Sequence, residues 1–178
     1  MENFNIELFA NDLESEVGLT LVGGRPGVGK TTFLLNVTVQ MLRRNKNVFF
    51  ISFELDEESV KNYLLSTGLN NQNSLSKLTI YDKHNFNIDD LSDDETVVNS
   101  DLIIIDYLNL ISYANDKNLD YIVKQLKNIS NHKNINIIAT TQLSKDNDES
   151  RIPTESDFMI SEDVFSKFVD NSILLYEK

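Results

Sequence analysis

Cysteine is absent from this chain of 178 residues, and histidine is scarce. Without cysteine the chain has neither a disulfide framework nor a thiolate metal site. The two histidines, His84 and His132, lie far apart in the sequence and lack the spacing of a ligand pair. We therefore expect no metal cluster built on protein side chains, and we assign both histidines to surface or loop positions.

Basic residues are also few, because 16 lysines and arginines stand against 28 aspartates and glutamates, for a formal net charge of −12. A negative surplus opposes non-specific attraction to nucleic acid, whose phosphates favour basic surfaces. Net charge does not describe how charge is distributed, so a local basic groove stays open. The balance argues against a non-specific nucleic-acid binder.

Long apolar runs are missing as well, and no stretch approaches the roughly 20 residues needed to span a bilayer. The first five residues have no basic segment leading into an apolar one, so we expect no signal peptide and a cytoplasmic protein with no membrane contact. With 40% hydrophobic residues, a chain of this length suits one globular domain. We expect a single domain over 1–178, with 1–17 as a short N-terminal extension.

The most informative stretch that is present is residues 24–31, GRPGVGKT, which fits the phosphate-loop pattern G-x-x-x-x-G-K-[ST]. An apolar, β-prone run at 19–22 precedes it, and a helix-like run beginning at Thr32 follows it. A strand, a glycine-rich turn and a helix are the context that gives the pattern meaning. The sequence therefore predicts a site for nucleotide phosphates rather than a chance glycine-rich turn.

Each part of this loop has a chemical reason. Its glycines permit dihedrals and close approaches that a side chain would block, so that backbone N–H groups converge on an anion at the start of a helix. Lys30 is expected to reach the β and γ phosphates, and the Thr31 hydroxyl to ligate Mg²⁺. The predicted nucleotide-binding residues are Gly24, Arg25, Pro26, Gly27, Val28, Gly29, Lys30, Thr31 and Thr32.

Apolar runs alternate with segments of helical periodicity along the rest of the chain. Strands are predicted near 18–22, 47–53, 78–81, 102–106, 136–142 and 172–176, and helices near 32–45, 56–67, 88–91, 118–131 and 163–169. Asn11 and Asp12 indicate a turn, and the acid-rich segment 82–101 is predicted to be mainly a solvated loop. The alternation predicts an α/β fold of three layers around a mainly parallel sheet.

In such sheets ligands lie at the carboxyl ends of the strands, where Glu54, Asp106 and Gln142 each follow an apolar run. Asp106 ends four aliphatic residues, as the Mg²⁺-holding aspartate of nucleotide hydrolases does, although such runs also occur by chance. Glu54 is the carboxylate available to activate water, or alternatively an acid near the cap of the next helix. Gln142 could hydrogen-bond the γ phosphate or be a strand-end residue satisfied by the backbone.

Four segments together resemble successive motifs of the RecA-like ATPase domain of DnaB-type replicative helicases. They are GRPGVGKTTF at 24–33, SFEL at 52–55, DYLNLI at 106–111 and TQLS at 141–144. Similar stretches follow at 151–158 and 169–175, so the resemblance runs in order from about Leu19 to Tyr176. Met159 stands where the family has an arginine.

The resemblance implies a three-layer P-loop fold of the RecA type that hydrolyses ATP with Mg²⁺. It assigns catalytic roles to Lys30, Glu54 and Gln142 and metal-binding roles to Thr31 and Asp106. It also implies single-stranded DNA as a partner, and a homo-oligomer or a partner ATPase subunit. From the same resemblance we expect a minimal version, lacking the helical N-terminal domain and the C-terminal finger segment of the family.

Three functions remain open from the sequence. The first is an ATPase that acts on DNA in replication or recombination, as a helicase-like motor. The second is an accessory or regulatory ATP-binding module that does not unwind DNA by itself and pairs with a fuller ATPase. The third is a signalling ATPase of the RecA type that resembles circadian regulators.

Overall fold

A six-stranded sheet forms the centre of the molecule in the computed structural model, which describes residues 5–69, 72–82, 86–115, 118–144 and 151–176. All strand pairs are parallel, in the order β3-β2-β4-β5-β1-β6. The strands are β1 (Leu19–Gly24), β2 (Val48–Ser52), β3 (Leu78–Tyr81), β4 (Leu102–Asp106), β5 (Asn136–Gln142) and β6 (Asn171–Leu175). All six predicted strands are thereby confirmed, and the sheet is wholly parallel.

The four central strands are buried on both faces, as their continuous apolar sequences require. Every residue of β1, β2 and β4 is buried, and so are all but the last of β5. Strands covered on both sides favour Val, Ile and Leu at successive positions instead of alternating with polar residues. The fold is therefore the predicted α/β architecture of three layers.

Helices cover both faces of this sheet. They are α1 (Ile6–Ser15), α2 (Lys30–Arg43), α3 (Glu57–Ser66), α4 (Gln72–Leu75), α5 (Glu95–Val98), α6 (Leu108–Asn115), α7 (Leu119–Lys133) and α8 (Glu162–Phe168). One face carries α1, α2 and α3 over a cluster that includes Leu34, Phe50 and Ile104. The other carries α7 and α8 over a cluster that includes Ile103 and Leu126.

Two sequence predictions outside the sheet are wrong. Asn11 and Asp12 do not form a turn but lie inside α1, which begins after the capping residue Asn5. The acid-rich segment contains the short helix predicted near 88–91, as a 3-10 helix at Ile88–Asp93, but it is not mainly a solvated loop. This helix and α5 bury apolar side chains in the core. Periodic apolar positions there, Ile88, Leu91 and Val97, outweigh the surrounding acids.

The register of the sheet brings the ends of four adjacent strands to one edge. Ser52 at the end of β2 is opposite Asp106 at the end of β4. Gln142 at the end of β5 is opposite Gly24 at the end of β1. Because these four strands are neighbours, the residues that follow them surround a common space above the edge.

His132 is exposed in the last turn of α7, whereas His84 and residues 145–150 lie outside the described residues. Across the ranges that the structure describes, no helix combines the length and the apolarity required to cross a membrane.

Candidate nucleotide site

The phosphate loop joins β1 to α2 with two glycines in the left-handed region. Gly27 has φ of 81° and Gly29 has φ of 95°, values that other residues adopt only at a cost. Gly29 is also the N-cap of α2, and because it has no side chain it cannot cap the first N–H groups of the helix. The first N–H groups of a helix have no partner within the helix, so those of α2 are available to an anion.

Gly24, the first residue of the motif, serves packing rather than turn geometry. A Cβ placed there would stand 2.7 Å from Val28 Cγ1 and 3.1 Å from the carbonyl oxygen of Leu175. Such distances are too short for carbon, so a side chain would displace the loop from β6. Glycine at this position lets the loop fold back tightly over the end of β1.

The Lys30 ammonium lies against the loop itself. Its Nζ donates to the carbonyl oxygen of Gly24 at 2.9 Å and to that of Arg25 at 3.0 Å. Partial burial lowers the pKa of Lys30, while the carboxylates of Asp106 and Glu54 oppose that shift by favouring the charged form. A positive charge is thus held at the mouth of the loop by two neighbouring acids.

A cavity of about 260 Å³ opens between the loop and the strand ends. Its lining brings together eight residues from four parts of the chain: Pro26, Gly27, Gly29, Lys30, Thr31, Glu54, Tyr107 and Gln142. Three of the predicted catalytic residues, Lys30, Glu54 and Gln142, are among them. The predicted loop residues Gly24, Arg25, Val28 and Thr32 do not line it, and the buried Asp106 lies outside the lining.

Glu54 faces this cavity and does not cap the helix that follows it. Asp56 is the N-cap of α3, where its side chain accepts from the backbone N–H of Ser59 at 2.8 Å. Glu54 instead accepts from the Thr31 hydroxyl, with 3.3 Å between Oγ1 and Oε2. The carboxylate is thus beside the residue predicted to hold Mg²⁺, while the capping role belongs to another acid.

Asp106 is almost completely buried, with 1% of its surface exposed. Its Oδ1 accepts from the hydroxyl of Thr140 on the neighbouring β5 at 2.6 Å. Its Oδ2 is buried and has no hydrogen-bond partner among the described residues. A buried carboxylate oxygen without a partner is unfavourable unless a cation or a water molecule satisfies it.

The residues at hand fit Mg²⁺ bound with a nucleotide. Thr31, Glu54 and Asp106 offer the oxygen donors that this ion prefers, and Asp106 Oδ2 is free to accept from its water shell. No group of three or more His, Cys, Asp or Glu side chains that could hold a metal ion occurs within the described ranges. Mg²⁺ is usually held by one or two protein groups together with substrate phosphates.

Gln142 is held at the end of β5 by a residue from another segment. Its backbone N–H donates to Asn109 Oδ1 at 3.1 Å, and the hydroxyl of Thr141 donates to the same oxygen at 3.0 Å. Asn109 is 6% exposed and lies in α6, directly after β4. The backbone of Gln142 is thereby satisfied, and its side chain lines the cavity.

Sequence reasoning missed three residues of this site, which are Tyr107, Asn109 and Thr140. Tyr107 follows Asp106 and lines the cavity. Asn109 is a buried polar residue within the apolar stretch 108–111, and Thr140 is a buried polar residue that follows the apolar residues 137–139. A polar residue beside buried apolar residues can indicate a functional position, but the sequence does not show which residue it hydrogen-bonds.

The segment after β5 packs beside the phosphate loop. Arg25 donates to the carbonyl oxygen of Arg151 at 3.4 Å, and Arg151 forms an ion pair with Asp157 at 2.5 Å. Phe158 bridges to Leu143 and lies over the end of β1. The sequence indicates this segment only through its family resemblance, and in the fold it packs beside the phosphate loop.

The comparisons with known proteins identify a family for this chain. The family model described as "DnaB-like helicase C terminal domain" matches residues 13–74 and 67–176. A probable replicative DNA helicase of Trieres chinensis is 30% identical over 172 residues, which cover 75% of this chain and 37% of that protein. The chain therefore spans well under half of that relative.

Solved structures show the same fold at low sequence identity. A DnaB-like replicative helicase, described together with its interactions with primase, is 18% identical and superposes with a TM-score of 0.66, over 90% of this chain and 47% of that one. A KaiC-like protein of Pyrococcus horikoshii OT3 is 21% identical with a TM-score of 0.59, over 70% of this chain and 61% of that one. On the family match, which covers nearly all of its length, the chain belongs to the family of DnaB-like helicase C-terminal domains.

Proposed function

We propose that this chain binds ATP with Mg²⁺ in the cavity at the strand ends and hydrolyses it to ADP and phosphate. The observation that carries the proposal is the convergence of Lys30, Thr31, Glu54 and Gln142, from the ends of three strands, on one cavity of about 260 Å³. Each of these side chains can bind the triphosphate or its metal ion, or take part in its hydrolysis. Residues 1–178 would act as one RecA-like domain, with 1–17 as a short extension.

Lys30 supplies the positive charge for the β and γ phosphates. Without nucleotide its ammonium donates to two loop carbonyls. Phosphate oxygens carry negative charge, so they attract the ammonium more strongly than the neutral carbonyl oxygens do. Binding would therefore exchange the carbonyl contacts for phosphate contacts and place the ammonium where negative charge develops during transfer.

Glu54 is the group proposed to activate water. It takes a proton from the attacking water as the water oxygen bonds to the γ phosphorus, and the bond between that phosphorus and the β–γ bridging oxygen breaks. Gln142, on the same cavity, hydrogen-bonds the γ phosphate and reports its loss to the end of β5. Thr31 and Asp106 are the residues that would hold Mg²⁺, which neutralises phosphate charge when bound.

The first test concerns nucleotide binding. Lys30→Ala removes one charge-assisted contact, so we expect affinity for a fluorescent ATP analogue to fall about 10- to 100-fold. Lys61→Ala is the matched control, since Lys61 is an exposed lysine of α3 that pairs with Glu57. Equal affinity of Lys30→Ala and the control would overturn the proposed site.

The second test separates hydrolysis from binding. Glu54→Gln keeps the size of the side chain and removes the base, so we expect the rate of ATP hydrolysis to fall about 10²- to 10⁴-fold with ATP affinity retained. Glu58→Gln makes the same change at an exposed position of α3. An unchanged rate in Glu54→Gln would show that another group activates the water.

The biological role that we propose is an ATPase acting on single-stranded DNA in replication or recombination, working as a homo-oligomer or with a partner ATPase subunit. Its support is the family membership and the replicative helicase relative. We expect single-stranded DNA to stimulate hydrolysis, with binding that weakens steeply as salt rises because phosphate contacts release counterions. A forked DNA duplex tests for unwinding, and light scattering measures the oligomeric state.

The net charge of −12 favours a second candidate, an accessory ATP-binding module that pairs with a fuller ATPase. A strongly acidic chain repels DNA phosphates unless a basic surface is concentrated locally. In that case ATP binds normally, while DNA leaves the hydrolysis rate unchanged. The comparison of hydrolysis rates with and without single-stranded DNA distinguishes the two candidates.

A further inference from the structure

Thr140 donates the hydrogen bond that orients the carboxylate of Asp106. Its side chain is fully buried on β5, and its Oγ1 lies 2.6 Å from Asp106 Oδ1. A second acceptor, the carbonyl oxygen of Ile105, is farther away at 3.4 Å. A hydroxyl has one proton to donate, and 2.6 Å is the usual length of a hydrogen bond from a hydroxyl to a carboxylate.

This contact makes the two carboxylate oxygens of Asp106 unequal. Oδ1 is occupied by the Thr140 hydroxyl, whereas Oδ2 is buried without a hydrogen-bond partner among the described residues. A carboxylate held at one oxygen cannot rotate freely about its last bond. The hydroxyl therefore determines which oxygen stays open and in which direction it points.

Thr38 in α2 is an example of a buried threonine with a purely structural role, and its hydrogen bond differs from that of Thr140. Thr38 is also fully buried, and its hydroxyl donates to the carbonyl oxygen of Leu34, four residues earlier in α2, at 2.9 Å. That local bond satisfies the hydroxyl and reaches no other element. Thr140 instead donates from β5 to the side chain of Asp106 on the neighbouring strand β4.

We propose that Thr140 is a positioning residue for the metal: its hydroxyl fixes the Asp106 carboxylate so that Oδ2 accepts from the water shell of nucleotide-bound Mg²⁺. The inference rests on the proposed function, because it requires a nucleotide with a divalent ion at this site. It adds a residue outside the phosphate loop and outside the strand-end positions to which the sequence motifs point. Groups that orient a metal ligand typically change metal affinity about 10- to 100-fold when removed.

The test compares Thr140→Val, which removes the hydroxyl and keeps the shape, with Thr140→Ser, which keeps the hydroxyl. Each protein is mixed with a smaller amount of a non-hydrolysable ATP analogue, and free Mn²⁺ is followed by electron paramagnetic resonance during a titration. We expect Mn²⁺ affinity to fall about tenfold or more in Thr140→Val. We expect the Mn²⁺ affinity of Thr140→Ser to stay within about threefold of the wild type, which is a smaller change than the loss in Thr140→Val.

Two controls separate orientation of the metal ligand from packing. Thr38→Val makes the same change at a buried threonine away from the site and should leave Mn²⁺ affinity unchanged. Affinity for the analogue measured in EDTA should be the same in all variants, because Thr140 touches Asp106 and not the phosphate loop. If Thr140→Val fails to fold, Thr140→Ala replaces it, since it differs from Thr140→Ser by one oxygen atom.

The outcomes distinguish this inference from the function on which it rests. A wild-type protein that binds no nucleotide overturns both. A wild type that binds the metal-nucleotide complex, with Thr140→Val equal to it, overturns the positioning role alone. Loss of Mn²⁺ affinity in Thr140→Ser as large as in the variant without the hydroxyl would also overturn it, because the defect would then come from packing.

Discussion

Replacing Asn109 with leucine tests whether this residue holds the end of β5 at the cavity. The two side chains have the same branching and the same number of heavy atoms, but leucine accepts no hydrogen bond. In the native protein Asn109 Oδ1 accepts from the Gln142 N–H at 3.1 Å and from the Thr141 hydroxyl at 3.0 Å. Both donors belong to the last residues of β5, so the substitution acts directly on the strand end.

The expected loss of stability follows from these two contacts. The Gln142 N–H loses its acceptor, and a buried donor left unpaired costs about 1–3 kcal/mol. The Thr141 hydroxyl keeps a 3.3 Å contact to the carbonyl oxygen of Gln142, so its share is about 1 kcal/mol. The free energy of unfolding should fall by about 2–4 kcal/mol, which a domain with about 5–15 kcal/mol of stability survives.

Urea unfolding followed by circular dichroism measures this change, because the chain has no tryptophan for fluorescence. With a slope of about 2 kcal/mol/M the midpoint should move about 1–2 M lower. Asn131→Leu, at an exposed position of α7, is the control and should shift the free energy of unfolding by no more than about 0.5 kcal/mol. Equal midpoints for Asn109→Leu and the wild type would refute the account of the β5 end.

Two further predictions concern the segment that packs beside the loop. Gly23→Ala should destabilise the fold by about 1–3 kcal/mol, because the new Cβ would lie 2.7 Å from both Leu143 and Phe158. The midpoint of thermal unfolding should therefore fall. An unchanged midpoint would mean that these two side chains move aside without cost. The carboxylate of Asp157 accepts a hydrogen bond from the Thr154 N–H and pairs with Arg151. Both contacts lower the pKa of Asp157, and the hydrogen bond has the larger effect. Its stabilising effect should be present above about pH 4, the value of a free aspartate, and be lost as pH falls through the lowered pKa. The difference in urea midpoint between the wild type and Asp157→Asn should therefore be largest at pH 7 and shrink as pH falls below about 4, whereas a difference independent of pH would contradict the assignment.

The sheet was predictable from sequence because its strands are parallel and covered on both faces. Such strands have continuous apolar runs, and β4 with its sequence LIIID is the clearest of them. Each of the six predicted strands is present, with ends within about two residues of the prediction. The phosphate loop was equally accessible, since its pattern and both flanking elements lie within one short stretch.

Helices whose formation depends on packing were not predictable in the same way. The first helix, α1, contains residues that favour turns, yet Ala10 and Leu13 bury against the sheet layer and Asn5 caps its start. The helix α6 begins two residues after Asp106, where the sequence suggested no element. In both places tertiary contacts outweigh weak local preferences.

The role of Glu54 shows how the fold narrows an open alternative. From sequence the residue was either a catalytic carboxylate or an acid near a helix cap. The structure gives the cap to Asp56 and turns Glu54 toward Thr31. Its catalytic role stays a prediction for the hydrolysis measurement.

What the sequence by itself determined is the chemistry of the phosphate loop, because glycine torsions, the Lys30 ammonium and the start of α2 all act within eight consecutive residues. What the tertiary structure alone decided is which distant polar groups meet. Thr140 reaches Asp106 across 34 residues of sequence, and Asn109 reaches Gln142 across 33. Both contacts exist because β4 and β5 are neighbours in the sheet, and strand order depends on how helices cover the two faces rather than on any local pattern.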